Sequence, residues 1–150
     1  APSRPLFEAL RSDAGEGLIR DKNVFIERIL PASVIRTLTE AEMDAYRAPF
    51  SEPGDHRQPM LAWPRELPID GEPADVVEVV GRYAEWLAAA PVRKLFINAD
   101  PGAILVGAPR ETCRQWPNQQ EVTVPGIHFI QEDSARAIGA ALAAWYTAQP

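Results

Sequence analysis

Two short runs in the second half of the chain, "RKLFINA" and "QEVTVP", limit the folds available to it. Both have the length of a strand, and the first is apolar enough to be buried on both faces, as in a parallel sheet. "RETCRQW" between them suits a helix, and "SARAIGAALAAWYTA" after them suits another. A helix between two strands predicts parallel strands joined by a crossover, and therefore an α/β fold.

A third helix is predicted ahead of these strands, in "ADVVEVVGRYAEWLAAA". Its apolar residues recur at helical spacing and form one face: Val76, Val79, Val80, Tyr83, Trp86 and Leu87. We expect this face to pack on the sheet. A stable sheet normally has three or more strands, whereas this sequence offers two. We therefore expect the rest of the sheet to lie outside these 150 residues.

The 15 prolines divide the chain into a segmented part, residues 1–71, and the α/β part, residues 72–150. In the first part, short helical runs such as "NVFIERIL" and "TEAEMDAYRAPF" alternate with Pro, Asp or Ser. Thr39, followed three residues later by Glu42, predicts a capping box. "MLAWPRELPIDGEP" contains too many prolines for much regular structure. We expect a set of small helices that covers something larger.

Composition excludes several classes of protein. A formal net charge of −6 argues against binding to nucleic acid or to an anionic membrane, both of which favour basic surfaces. No apolar run approaches the roughly 20 residues that span a bilayer. The single cysteine, Cys113, excludes an internal disulfide and a cysteine-rich metal site. It suits a reducing compartment, so we expect a cytoplasmic protein.

Two polar residues follow the two predicted strands. Asp100 comes after the first, in "NADPGAIL", and His128 after the second, in "PGIHFIQEDS". In parallel sheets the functional groups lie beyond the carboxyl ends of the strands. The order acid, then base is that of the α/β hydrolases, in which a carboxylate orients an imidazole that accepts a proton. A histidine in a loop after a strand is, on spacing alone, as often structural as catalytic.

The helix after His128 opens with acidic residues. Glu132 and Asp133 favour the positive end of the helix dipole, and Asp133 or Ser134 is a suitable cap. No G-x-S-x-G motif or comparable nucleophile elbow occurs in the sequence, and no glycine-rich segment offers an oxyanion hole. The sequence therefore offers a base and a candidate acid without a nucleophile.

Several longer segments resemble the C-terminal half of the haloalkane dehalogenases, which are α/β hydrolases. The resemblance rests on "NVFIERILP", "LTEAEMDAYRAPF", "LAWPRELPIDGEPADVV", "RKLFINADPGA", "WPNQQEVTVPG" and "HFIQEDS". It implies that residues 1–71 are part of a helical cap and that residues 72–150 are the end of the main domain. It also implies an N-terminal half that lies outside this sequence.

The resemblance also implies a reaction. An aspartate of the N-terminal half displaces halide from a small halogenated alkane and forms an ester, and the histidine matching His128 activates water to cleave it. The first step needs no proton transfer, whereas the second needs a base. No metal or organic cofactor is implied. The partners would be the haloalkane, water, halide and the N-terminal half of the same enzyme. The whole enzyme would act in detoxification.

The resemblance also implies which residues line the pocket and which residue is the catalytic acid. The residues that match the substrate pocket or tunnel are Phe7, Phe25, Ile29, Ser33, Pro64, Leu67, Ala103 and Ile104. In the dehalogenases most similar in this region, the catalytic acid is a glutamate of the N-terminal half. We favour that assignment, which makes Asp100 a supporting carboxylate near the site, and keep Asp100 as the alternative acid.

Two other functions are compatible with the sequence. An epoxide hydrolase of the same superfamily would use the same aspartyl ester, but it typically needs cap tyrosines to protonate the epoxide. Tyr46 is the only tyrosine in residues 1–71. The second alternative is a non-catalytic protein that consists of this fragment alone.

Overall fold

The structure, a computed structural model, describes residues 4–148. These residues form two compact units. Residues 4–32 and 37–81 belong to the first, and residues 33–36 and 82–148 to the second. Within the described part of the chain, no helix is both long and apolar enough to cross a membrane.

Short helices make up the first unit, as predicted. Its α-helices are α1 (Arg4–Arg11), α2 (Ala14–Glu16), α3 (Leu30–Ala32), α4 (Glu40–Arg47) and α5 (Gln58–Arg65). Wider π-helical turns span Gly17–Asp21 and Phe25–Ile29, and 3-10 turns span Ala48–Phe50 and Gly54–Arg57. The core of the unit includes Leu10, Ile19, Ile26, Met43 and Leu61, which are buried.

The predicted capping box at the start of α4 is confirmed. The Thr39 hydroxyl accepts a hydrogen bond from the Glu42 backbone N–H at 3.3 Å, and the Glu42 carboxylate accepts one from the Thr39 N–H at 2.7 Å. Two backbone donors that have no partner inside the helix are thereby paired.

The helix α5 extends further than the prolines predicted, since it continues through Pro64 to Arg65. Pro59 lies in its first turn, where a missing N–H costs no hydrogen bond. At the other end, the Arg11 guanidinium donates to the carbonyl oxygens of Pro64 (3.3 Å), Arg65 (2.9 Å) and Leu67. A side chain from α1 therefore satisfies the last carbonyls of α5.

A buried arginine joins two of the irregular turns in this unit. Arg57 has 6% of its surface exposed, and its guanidinium donates to four carbonyl oxygens. The acceptors are Phe50 (2.9 Å), Ser51 (3.2 Å), Arg20 (2.7 Å) and Asp21 (3.0 Å). Each of its three nitrogens has a partner, which is the condition for burying a charge at tolerable cost.

The second unit contains the predicted parallel strands. β1 (Lys94–Pro101) pairs with β2 (Gln119–Gly126), with Lys94 opposite Gln119 and Pro101 opposite Gly126. The helix α7 (Ala108–Arg114) lies between them in the chain, and α8 (Ile130–Thr147) packs mainly on β2. Phe96 and Val124 are buried. The α/β arrangement is thus confirmed, and both strands run a few residues further than predicted.

The helix before β1, α6 (Ala74–Ala89), is confirmed as a helix, but its apolar face is not buried. Tyr83 is 63% exposed and Trp86 55%. The expectation that this face packs on the sheet is wrong for the described chain. Helical spacing shows which residues share a face, but burial requires a covering element, and no described residue buries this one.

We expect the Arg57→Ala substitution to lower the free energy of unfolding by about 3 kcal/mol or more, because it leaves buried carbonyls without donors. Arg28→Ala, in the same unit and on the surface, is the matched control and should change the value by less than about 0.5 kcal/mol. Chemical denaturation followed by circular dichroism measures both. Equal effects of the two substitutions would contradict the structural role of Arg57.

Candidate active site

The site is built around the turn that links β2 to α8. Gly126 ends β2, and α8 begins at Ile130, so Ile127, His128 and Phe129 make the turn. A Cβ added at Gly126 would lie 2.6 Å from Cγ2 of Ile130. Only glycine lets the two elements approach this closely, and this approach puts His128 beyond the carboxyl end of the strand.

The backbone of His128 is held by a residue far away in the sequence. The N–H groups of His128 and Phe129 both donate to the carbonyl oxygen of Ser33, at 3.1 and 3.2 Å. Ser33 belongs to the second unit with His128, although its neighbours in sequence belong mainly to the first. Ser33, predicted from the resemblance to line the tunnel, is therefore in direct backbone contact with the turn that carries the histidine.

The acidic residues after His128 do not form the predicted helix cap. α8 is kinked at Ser134, and neither Asp133 nor Ser134 accepts a hydrogen bond from a backbone N–H of α8; its first turn, which begins at Ile130, has no side-chain cap. The reason is that Ser134 departs from helical geometry (φ −132°, ψ 27°) and its hydroxyl donates to the Pro125 carbonyl oxygen at 2.6 Å. The Asp133 carboxylate accepts from backbone N–H groups of residues 35 and 36 instead.

A cavity of about 170 Å³ opens beside the turn. The side chains that line it are apolar except for that of His128. The lining residues are Ile97, Ala99, Gly102, Ala103, Ile104, Leu105, Ile127, His128 and Ile130. Among these, His128 is the ionisable residue. The volume lies below the roughly 300–1,000 Å³ of pockets for drug-sized ligands, so it suits a molecule of a few heavy atoms.

The loop that supplies Ala103 and Ile104 to this wall is shaped by Gly102 and Arg110. Gly102 has φ 71°, and a Cβ there would lie 2.7 Å from Nη2 of Arg110. The Arg110 guanidinium donates to the carbonyl oxygens of Ala99 (2.9 Å), Pro101 (3.2 Å) and Leu105 (3.2 Å). The side chain thereby holds both ends of the loop, which the sequence did not predict.

Partial burial in this wall lowers the pKa of the His128 imidazole below its ordinary value of 6.5, because desolvation disfavours the charged ring. The ring is therefore neutral at pH 7 and has a free lone pair, as a general base requires. Its neighbour is the Phe129 ring, whose centroid lies 4.8 Å away at a tilt of 53°.

Asp100 lies on β1 opposite Pro125 and is exposed to solvent. It does not line the cavity, and among the described residues no hydrogen bond or ion pair joins it to His128. Its role, as supporting carboxylate or as the acid, remains a prediction.

The other predicted pocket residues lie in the first unit. Pro64 is fully buried in the last turn of α5, and four others are half-buried: Phe7, Phe25, Ile29 and Leu67. The structure thus brings together His128, Ala103 and Ile104, with Ser33 on the backbone of the turn. The roles of all eight pocket residues remain predictions.

The structure gives no sign of a metal centre or a reactive thiol in the described residues. Between residues 4 and 148, no three His, Cys, Asp or Glu side chains lie close enough to hold an ion. Cys113 is half-buried, and burial raises the pKa of its thiol, which keeps it protonated near neutral pH.

Comparison with known proteins gives consistent relatives. A haloalkane dehalogenase of Sphingobium indicum is 57% identical over 142 residues, which cover 95% of this chain and 48% of that protein. A haloalkane dehalogenase of Mycolicibacterium smegmatis is 51% identical, with 93% of this chain and 45% of that protein covered. No protein-family model matches the chain.

Solved structures agree with these relatives. The crystal structure of the haloalkane dehalogenase DbeA from Bradyrhizobium elkani superposes with a TM-score of 0.89 at 41% identity, covering 96% of this chain and 50% of that one. The chain spans about half the length of the curated relatives it matches. By sequence and by structure, the chain resembles haloalkane dehalogenases over nearly its whole length.

Proposed function

We propose that this chain is part of an enzyme that hydrolyses haloalkanes to an alcohol and halide, and that His128 is the base of the reaction. The observation that carries the proposal is the position of the His128 imidazole in the wall of a small cavity, where partial burial lowers the pKa of the ring. The similarity to haloalkane dehalogenases supports it. A haloalkane offers no hydrogen bonds, so an apolar wall suits it better than a polar one.

The role of His128 follows the family resemblance. The resemblance assigns the attacking aspartate to the N-terminal half, which agrees with the lack of a nucleophile elbow in this sequence. That carboxylate displaces halide from the alkyl carbon and becomes an ester. The His128 imidazole then takes a proton from a water molecule, whose oxygen attacks the ester carbonyl. The acyl C–O bond breaks, and the departing alkoxide takes up a proton to become the alcohol while the aspartate returns to its carboxylate form.

The remaining features of the proposed enzyme follow the family resemblance. Residues 1–71 would serve as part of a cap and residues 72–150 as the end of the main domain. The pocket would be completed by Phe7, Phe25, Ile29, Ser33, Pro64, Leu67, Ala103 and Ile104. The partners would be a small halogenated alkane, water, halide and the N-terminal half, without metal, organic cofactor, nucleic acid or membrane, in the cytoplasm.

Residues 1–150 on their own should release no halide from 1-bromobutane or 1,2-dibromoethane, because the attacking carboxylate is absent from them. Ion chromatography of bromide measures the release. The same chain joined to the N-terminal half is the control and should be active. Bromide release by residues 1–150 alone would show that the nucleophile lies in this chain.

In the complete enzyme, His128→Gln should release about one halide per active site and then stop, because alkylation needs no base while ester cleavage does. Loss of a general base slows that second step by about 10²–10⁴-fold. Mass spectrometry should find an alkyl group on an aspartate outside this chain. Normal turnover by this variant would exclude His128 as the base.

Asp100→Asn in the same enzyme is the matched comparison, since it also replaces an ionisable group near the carboxyl end of a strand. If the acid is the glutamate of the other half, this variant should keep most of its turnover. Accumulation of the same alkyl adduct as in His128→Gln would identify Asp100 as the catalytic acid.

The pH dependence of ester cleavage should be that of a base that works only when neutral. The rate should fall as pH drops and the His128 imidazole takes up a proton. The halide burst should not show this limb, because alkylation does not use the imidazole. Rapid-quench measurements separate the two steps, and ester cleavage that does not slow on the acid side would contradict the role of His128 as the base.

A further inference from the structure

Residues 33–36 (the 33–36 segment) form hydrogen bonds with the stretch that follows β2, namely the turn at His128 and the first turn of α8. Each side supplies both donors and acceptors. The Ser33 carbonyl oxygen accepts from the N–H groups of His128 (3.1 Å) and Phe129 (3.2 Å). In return, the Asp133 carboxylate accepts from the N–H groups of Ile35 (3.0 Å) and Arg36 (3.0 Å). Four backbone donors thus find their acceptors across a gap of almost 100 residues in sequence.

Further contacts fix both partners of this exchange. The Arg36 guanidinium donates to the Glu132 carbonyl oxygen at 2.7 Å and pairs with the Glu132 carboxylate at 2.8 Å. The buried Ser134 hydroxyl donates to the Pro125 carbonyl oxygen at 2.6 Å. Asp133 is therefore held at the place where α8 departs from helical geometry, which turns its carboxylate to the 33–36 segment and away from the helix end.

The imidazole depends on this exchange because no hydrogen bond to a described residue holds its ring. Its aromatic neighbour is the ring of Phe129. The backbones of both residues are held by the single carbonyl oxygen of Ser33. Any shift of the 33–36 segment therefore moves the base and its ring neighbour together.

We propose that Asp133 is a positioning residue for His128: it anchors the 33–36 segment so that the Ser33 carbonyl holds the turn that carries the base. The kinetic part of this inference rests on the proposed function. Asp133 contacts neither the substrate nor the water molecule that attacks the ester. A displacement of the reacting groups by about 1 Å costs up to about 10²-fold in rate, so a loosened turn should slow the step that uses the base.

Three variants of the complete enzyme test the role. Asp133→Ala removes both acceptor oxygens, whereas Asp133→Asn keeps one, and the Oδ1 atom alone accepts from both Ile35 and Arg36. Asp75→Ala is the matched control, because Asp75 also lies in the first turn of a long helix, α6. Mass spectrometry measures the rate of amide hydrogen exchange in the peptide that contains His128 and Phe129. Rapid-quench experiments measure the halide burst and the rate of ester cleavage.

The inference requires a graded response. Asp133→Ala should speed amide exchange in that peptide about 10-fold or more and slow ester cleavage by about 10- to 10²-fold, with the rate and size of the halide burst unchanged. Asp133→Asn should show a few-fold effect on both, and Asp75→Ala none. If Asp133→Ala does not fold, the Asp133→Asn variant decides. Amide exchange and ester cleavage in Asp133→Asn equal to those of the unsubstituted enzyme would overturn the role.

Two other results separate this inference from the proposed function. A normal burst with unaltered ester cleavage in Asp133→Ala would overturn the role of Asp133 and leave the function standing. An equal loss of burst and cleavage in that variant would mark Asp133 as merely structural and also overturn the role. No halide release at all by the unsubstituted enzyme would overturn the function and, with it, this role.

Discussion

The arrangement of the candidate site depends on the hydrogen bonds between the 33–36 segment and the start of α8. Each stretch supplies acceptors for backbone N–H groups of the other. A hydrogen bond contributes about 0.5–1.5 kcal/mol net, so the two stretches stabilise each other. This exchange also brings residues 33–36 into the second unit, although the chain on either side of them belongs to the first.

The chemistry assigned to this chain fits what its residues are able to do. A histidine in an apolar wall loses some of its affinity for protons, which gives a base that is ready near neutral pH. The other side chains that line the cavity are apolar. A chain with a base and no nucleophile is coherent when the reaction has two steps and the nucleophile acts first, from another part of the enzyme.

Local signals in the sequence predicted the local structure well. The capping box at Thr39 and Glu42 involves residues three apart, and the strand runs around β1 and β2 are set by their own composition. The same reasoning failed for Asp133, because a position near a helix start suggests a cap, and only the fold reveals a distant backbone as the partner. It also failed for α6, where the apolar spacing was right but burial depends on what covers the face.

Long-range contacts of backbone atoms were beyond prediction for a related reason. The Ser33 carbonyl oxygen that holds His128 carries no side-chain signature, and the arginines at positions 11, 57 and 110 look like ordinary surface charges in the sequence. Their acceptors are carbonyl oxygens at the ends of turns and helices, which every residue possesses. The family resemblance supplied His128 with its proposed task, while the structure supplied the cavity and the atoms that hold the turn.

The central claim is that His128 activates water against an enzyme ester and not against the haloalkane itself. A single turnover of the complete enzyme in ¹⁸O-labelled water, with enzyme in excess over 1-bromobutane, tests it most directly. Water attack on the ester carbonyl leaves the label on the aspartate, so the first 1-butanol formed should carry unlabelled oxygen from the enzyme. Labelled 1-butanol from that first turnover would mean that water attacks the alkyl carbon directly, which would contradict the account.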